Sequence, residues 1–208
     1  MRIVALEEHY TVPGIVSRID PAAIRRRGFP GPDVVWAQVI KRNELAHLGD
    51  ARLADMDASG ITVQVLSVAG PGADVVPGAE GIALARDYNN ALAEATSRHP
   101  DRFRGFAHLP MHSPDAAADE LERTIKDFGF HGLLVNGPTD GRFLDDPRFE
   151  PILARAEAVG VPIYIHPGIP PDKVRGGALR RTARQFQLYA GLIGWHMGDS
   201  RSTYFGWF

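Results

Sequence analysis

Five short apolar stretches alternate along the chain with segments whose apolar residues recur at helical spacing. ALEEHY (Ala5–Tyr10), ITVQVLSV (Ile61–Val68), FRGFAHLP (Phe103–Pro110), FHGLLVNG (Phe130–Gly137) and VPIYIHPG (Val161–Gly168) are dense in β-branched and aliphatic residues and read as strands. Between them, Asp50–Ala58 (stopped by Gly60), Ile82–Arg98, Pro114–Phe128 and Phe149–Val159 carry the helical period. Thr11–Asp50 is irregular, with Pro13, Pro21, Pro30 and Pro32 breaking the pattern before a helical stretch around Val34–Leu48. Long excursions of this kind in a compact domain are usually functional, and this one leaves the end of the first strand.

Strands that are apolar on both faces and alternate with helices imply βαβ units and a parallel sheet. A dinucleotide-binding fold would need a glycine-rich turn straight after the first strand, and EEHYTVPG is not one. The pattern therefore predicts an α/β chain forming a partial (β/α)8 TIM barrel, with about five of the eight β/α units present. In such barrels chemistry gathers at the carboxyl ends of the strands. Glu7, His9, Ser67, His108, Asn136 and His166 all fall there.

Strict alternation along the first strand would send Val4 and Leu6 outward against covering elements and place Ala5, Glu7 and His9 on the opposite face. Strand five lies across the barrel from strand one, so an inward His166 would meet Glu7 and His9 over the mouth. That Glu, His, His set suits one divalent ion, zinc or manganese, with positions left open. The competing readings make Glu7 and His9 a solvated strand end and His166 a capped core histidine. His108 and Asn136 either touch a substrate or bond the neighbouring loop backbone. Ser67 has no recognisable histidine and carboxylate partners for a nucleophilic role. His47, His99, His112 and His131 are expected in solvent, and Asp145 and Asp146, just before Pro147, read as turn and helix-start residues.

Charge and composition narrow the classes. A net charge of −2 over 208 residues leaves no basic stripe for nucleic acid, and the cluster Arg25, Arg26, Arg27 sits among prolines and glycine as a solvated loop. With no cysteine, any metal must be held by His, Asp and Glu. No secretory signal or membrane span is legible, so a cytoplasmic protein is expected.

Together, ALEEHY, RLADMDASGITVQVLS, HPDRFRGFAHLP, GFHGLLVNG and RFLDDPRFEPILARAEAVGVPIYIHPG resemble, in order and from Met1 to about Gly168, the metal-dependent decarboxylases of the amidohydrolase superfamily. The likeness is to the branch acting on hydroxybenzoates such as γ-resorcylate and 2,3-dihydroxybenzoate, related to aminocarboxymuconate semialdehyde decarboxylase. It implies a metal on Glu7, His9 and His166, a small aromatic carboxylate as substrate, and a homo-oligomer for the full-length protein. It also implies a strand-six histidine and a proton-donating aspartate after strand eight, and neither is matched. His196 in GWHMGD follows His166 too soon for the former; Gly194–Met197 instead resemble the start of a family helix, after which GDSRSTYFGWF departs from the pattern. A frame shifted by two nucleotides would restore it. The expected organisation is thus one barrel domain over residues 1–197 with an aberrant, out-of-frame tail over 198–208, the other reading being a natural short form.

For the family architecture the resemblance implies non-oxidative loss of carbon dioxide, the ion polarising carboxylate and phenolic oxygen while an acid protonates the ring carbon. A superfamily hydrolase opening a lactone or ester would use the same ligands. An inactive fragment with a sticky open edge is the third reading.

Overall fold

In the computed structural model, residues 1–26, 44–70 and 72–166 are described. The strands are β1 (Val4–Tyr10), β2 (Val63–Val68), β3 (Phe103–Gly105), β4 (Leu133–Asn136) and β5 (Ile163–His166). They alternate with α1 (Pro13–Val16), α2 (Pro21–Arg26), α3 (Asp50–Ala58), α4 (Gly78–Arg98), α5 (Pro114–Phe128) and α6 (Glu150–Val159). Every ladder is parallel, β1 to β2, β2 to β3 and β4 to β5, and a parallel bridge from Ala107 to Leu133 joins β3's continuation to β4. The spatial order therefore follows the chain order, as in a segment of a (β/α) barrel.

Two apolar clusters divide along the faces of this sheet. Leu66 and Val68 of β2 face Met56, Leu84, Tyr88 and Leu92 of the helices in the larger cluster. The alternate residues point into the barrel, where Val65, Phe106 and Leu134 pack with Tyr164. Phe106 and Tyr164 stack at 5.9 Å between ring centroids. Each fully buried Leu or Phe contributes about 2 kcal/mol, so the sheet is stabilised from both faces. The helix ends follow their sequences: α5 starts with Pro114 and ends at Gly129 in the left-handed conformation, and α6 ends the same way at Gly160.

Several boundaries differ from the sequence reading. Pro13 and Pro21 open α1 and α2 rather than breaking a pattern, because proline's fixed φ and missing N–H suit a first helical position. Asp20 assists by accepting the Ala22 N–H at 2.8 Å, and Ile15, Ile19 and Ile24 are buried. β3 stops at Gly105 because the backbone changes partner: Phe106 N–H donates to Leu66, and Ala107 N–H to Gly132 of the next unit. The helical stretch expected over Val34–Leu48 falls mostly outside the described residues, which contain there a 3-10 turn, Glu44–Ala46. Val4 and Leu6 are 46% and 48% exposed rather than covered; among the described residues β1 has a strand neighbour on one side only. The 167–208 segment, with His196 and the 198–208 tail, lies outside the described residues. No described helix is long and apolar enough to cross a membrane.

Candidate metal centre

The site begins with an irregularity in β1. Ala5 lies opposite Gln64 but Glu8 lies opposite Leu66, so two residues of β1, Leu6 and Glu7, span one of β2. Gln64 and Leu66 share the outer, helix-covered face, hence Ala5 and Glu8 do too, although they are three apart. Carried on without the shift, the Ala5–Gln64 pairing would put His9 opposite Val68, on the outer face. With it, His9 lies opposite Ser67 and faces inward. The sequence reading had the right destination for Glu7 and His9 by the wrong route, since Ala5 does not share their face.

The adjacent glutamates then separate. Glu8 turns outward and accepts from Gln64 Nε2 at 3.0 Å; Gln64 Oε1 accepts from Arg52, which also donates to the His9 and His47 carbonyls at 2.8 Å. Burial pushes the Glu8 carboxyl up despite the nearby Arg52 guanidinium. Glu7 turns inward, where Oε2 accepts from the Tyr164 hydroxyl at 2.8 Å and Oε1 lies 3.1 Å from His166 Nε2. The rings of His9 and His166 meet edge to face at 5.3 Å. One ligand-type atom from each of Glu7, His9 and His166 lies within 4.8 Å of the others. Two donors each about 2.1 Å from an ion at right angles sit about 3.0 Å apart, so one carboxylate and two imidazoles at these separations fit a small divalent cation.

The electrostatics suit that reading. His9 is pushed down to about 4, chiefly by burial and then by His166 beside it, so above about pH 5 its ring is neutral. Tyr164 is pushed up to about 12 by burial and by the Glu7 carboxylate it bonds, and remains a donor. Tyr164 was not singled out from the sequence, although it shares a strand face with His166 two residues on. Arg52 was hidden inside an ordinary helical pattern.

Asn136 lies opposite His166 in the β4–β5 ladder, so the structure brings it to the triad's side. His108 is placed differently. It is 3% exposed; its Nε2 accepts the Ala73 N–H at 2.8 Å, and Asn89 bonds both its N–H and its carbonyl at 2.9 Å. A β-carbon at Gly72 would fall 2.4 Å from that Nε2, so the loop approaches closely only because residue 72 is glycine. Of the histidines expected in solvent, His47 and His131 are exposed and His99 is half-buried. His112 is not free: only 14% of its side chain is exposed and Nδ1 lies 3.1 Å from Asp140. Asp146 accepts the Arg148 N–H at 3.1 Å ahead of the turn into α6, as a helix-start residue should.

Residues 14–203 match the family model for amidohydrolases. The chain belongs to the amidohydrolase family. Among its relatives, γ-resorcylate decarboxylase of Rhodococcus jostii is 38% identical over 201 residues, spanning 92% of this chain and 56% of that protein. The amidohydrolase fold is matched by the manganese complex of 5-carboxyvanillate decarboxylase from Novosphingobium aromaticivorans with 4-hydroxy-3-methoxy-5-nitrobenzoic acid. That match has a TM-score of 0.71 and 32% identity, over 93% of this chain and 55% of that one. It is matched also by dihydroxybenzoic acid decarboxylase from Polaromonas with manganese and 2-nitroresorcinol, TM-score 0.68 and 34% identity, over 88% and 55% of the two chains. The chain spans about half the length of the amidohydrolase relatives it matches.

Proposed function

We propose that this chain carries the first part of a divalent-metal site, Glu7, His9 and His166, in a decarboxylase of hydroxybenzoate-type aromatic carboxylic acids. The convergence of those three side chains at the strand ends carries the reading. Support for the reaction class comes from the relatives, which are named as decarboxylases of γ-resorcylate, 5-carboxyvanillate and dihydroxybenzoic acid, two of them with manganese.

A bound ion, manganese or zinc, would supply Lewis-acid polarisation of the substrate's carboxylate and the adjacent phenolic oxygen. The chain's own residues prepare for it. Neutral His9 offers a lone pair from about pH 5 upward, and the inward carboxylate of Glu7 offsets part of a dication's charge. Tyr164 spends its proton on Glu7 Oε2, which turns Oε1 toward His166. Asn136, beside His166, is assigned a polar contact to the substrate, its amide able to donate and accept. His108 is assigned an indirect part, through the loop it anchors by the Ala73 N–H.

The purified 208-residue chain, analysed for bound metal and assayed with 2,6-dihydroxybenzoate and with an aryl lactone, tests the reading. Stoichiometric manganese or zinc with carbon dioxide release supports it. Lactone opening without carbon dioxide release would make the protein a hydrolase, and absence of metal affinity would remove the basis for either.

A further inference from the structure

Ser67 is 1% exposed and lies opposite His9 in the β1–β2 ladder, so its hydroxyl and the His9 ring project from neighbouring strands onto the same face. Its Oγ makes two contacts: 3.0 Å to His9 Nδ1 and 3.3 Å to the Glu8 carbonyl oxygen. A hydroxyl has one proton to donate and lone pairs with which to accept, whereas a carbonyl oxygen can only accept. The proton between Ser67 and Glu8 is therefore the serine's own. Donation from Oγ to the Glu8 carbonyl and acceptance from a protonated Nδ1 satisfies both contacts at once, whereas donation to a bare Nδ1 leaves the Glu8 contact without a hydrogen. In that arrangement a relay runs from His9 Nδ1–H to Ser67 Oγ–H to the Glu8 carbonyl.

We infer that Ser67 is a positioning residue that holds His9 in the Nδ1–H tautomer and thereby leaves Nε2 as the unprotonated, ligating nitrogen beside Glu7 and His166. The inference rests on the metal reading of that triad. A neutral imidazole has one lone pair for a ligand, and which nitrogen bears it is set by the hydrogen bond made at the other. The free imidazole side chain favours the opposite tautomer, with hydrogen on Nε2, which would turn an N–H toward the site. Ser67 reverses that preference from a buried position where water cannot compete. The displaced register of β1 is a precondition, because without it His9 would stand opposite Val68, which has no hydroxyl.

The test uses the full 208-residue chain, 15N-labelled and stripped of metal with a chelator, at neutral pH. Long-range proton–nitrogen correlation spectra read the His9 tautomer, assigned by the signals lost in His9→Gln. The unsubstituted chain is expected to show Nδ1 protonated and Nε2 bare, and Ser67→Ala to move hydrogen to Nε2. Mn2+ affinity, read from the electron-spin signal of free Mn2+, is expected to fall about 10- to 100-fold in Ser67→Ala. A His9 ring carrying hydrogen on Nε2 in the unsubstituted chain would overturn the inference. So would a Ser67→Ala variant that keeps both the Nδ1–H signature and the parent's Mn2+ affinity. If the unsubstituted chain shows the Nδ1–H signature yet binds no Mn2+, the metal reading itself fails and the positioning role goes with it.

Discussion

His9 and His108 make an instructive pair. Each stands near the carboxyl end of a strand run, each is held neutral by burial, and the sequence marks both as candidates for chemistry. Around His9 the ring is bonded at Nδ1 and meets the ring of His166 at 5.3 Å, with a ligand-type atom of each of His9, His166 and Glu7 within 4.8 Å of the others. Around His108 the free nitrogen is consumed by the Ala73 N–H, and Asn89 ties the backbone to buried Glu120 on α5. Tyr88 closes off the ring at 5.5 Å. Burial alone therefore does not distinguish a ligand from a strut; what distinguishes them is whether a lone pair is left over and what else faces it.

Substitution breaks the pair most sharply. His9→Gln and His166→Gln should each lower Mn2+ affinity by about 100-fold or more, since each removes a donor whose loss exceeds that of an outer-sphere partner. His108→Leu should leave Mn2+ affinity within about threefold while destabilising the chain by about 1–3 kcal/mol, the cost of an unsatisfied buried Ala73 N–H. Titration of Mn2+ alongside urea unfolding separates the two outcomes.

Acid separates them next. His9 in the folded chain protonates only near pH 4, against 6.5 for the ordinary side chain, so the unfolded state binds the extra proton first. Its contribution to stability is therefore complete above about pH 6.5 and is lost as pH falls toward about 4, by roughly 3 kcal/mol in all. Denaturation of the metal-free chain across that window should be steeper than that of His9→Gln by this amount. Equal slopes would contradict the buried, neutral His9.

Smaller effects sharpen the contrast. Gly72→Ala should cost about 1–3 kcal/mol of stability, because its β-carbon would crowd the His108 ring, and should leave Mn2+ affinity unchanged. Tyr164→Phe should do the reverse: little change in the unfolding midpoint, and about a 10-fold weaker affinity for Mn2+ through a less constrained Glu7.

The parallel order of the strands and the destination of Glu7, His9 and His166 were legible because short continuous apolar runs alternating with helical periods, and odd polar residues at the runs' ends, are local signals. The route was not. A displaced register in β1 depends on pairing with β2, and nothing in ALEEHY marks Leu6–Glu7 as the place where it occurs. The split between Glu7 and Glu8 follows from it and was equally invisible. Prolines at 13 and 21 misled because a helix's first position and a breaker look alike until the following turn is seen. The part played by His108 depends on Ala73 and Asn89, residues 35 and 19 positions away, beyond any local pattern.

The metal half-site is the central claim, and diffraction addresses it directly. Crystals of the chain grown with Mn2+ and measured at the manganese absorption edge should give one anomalous peak per chain, about 2.1 Å from Glu7, His9 Nε2 and His166, and none at His108. An empty triad in saturating Mn2+, or a peak at a different set of side chains, would contradict the account.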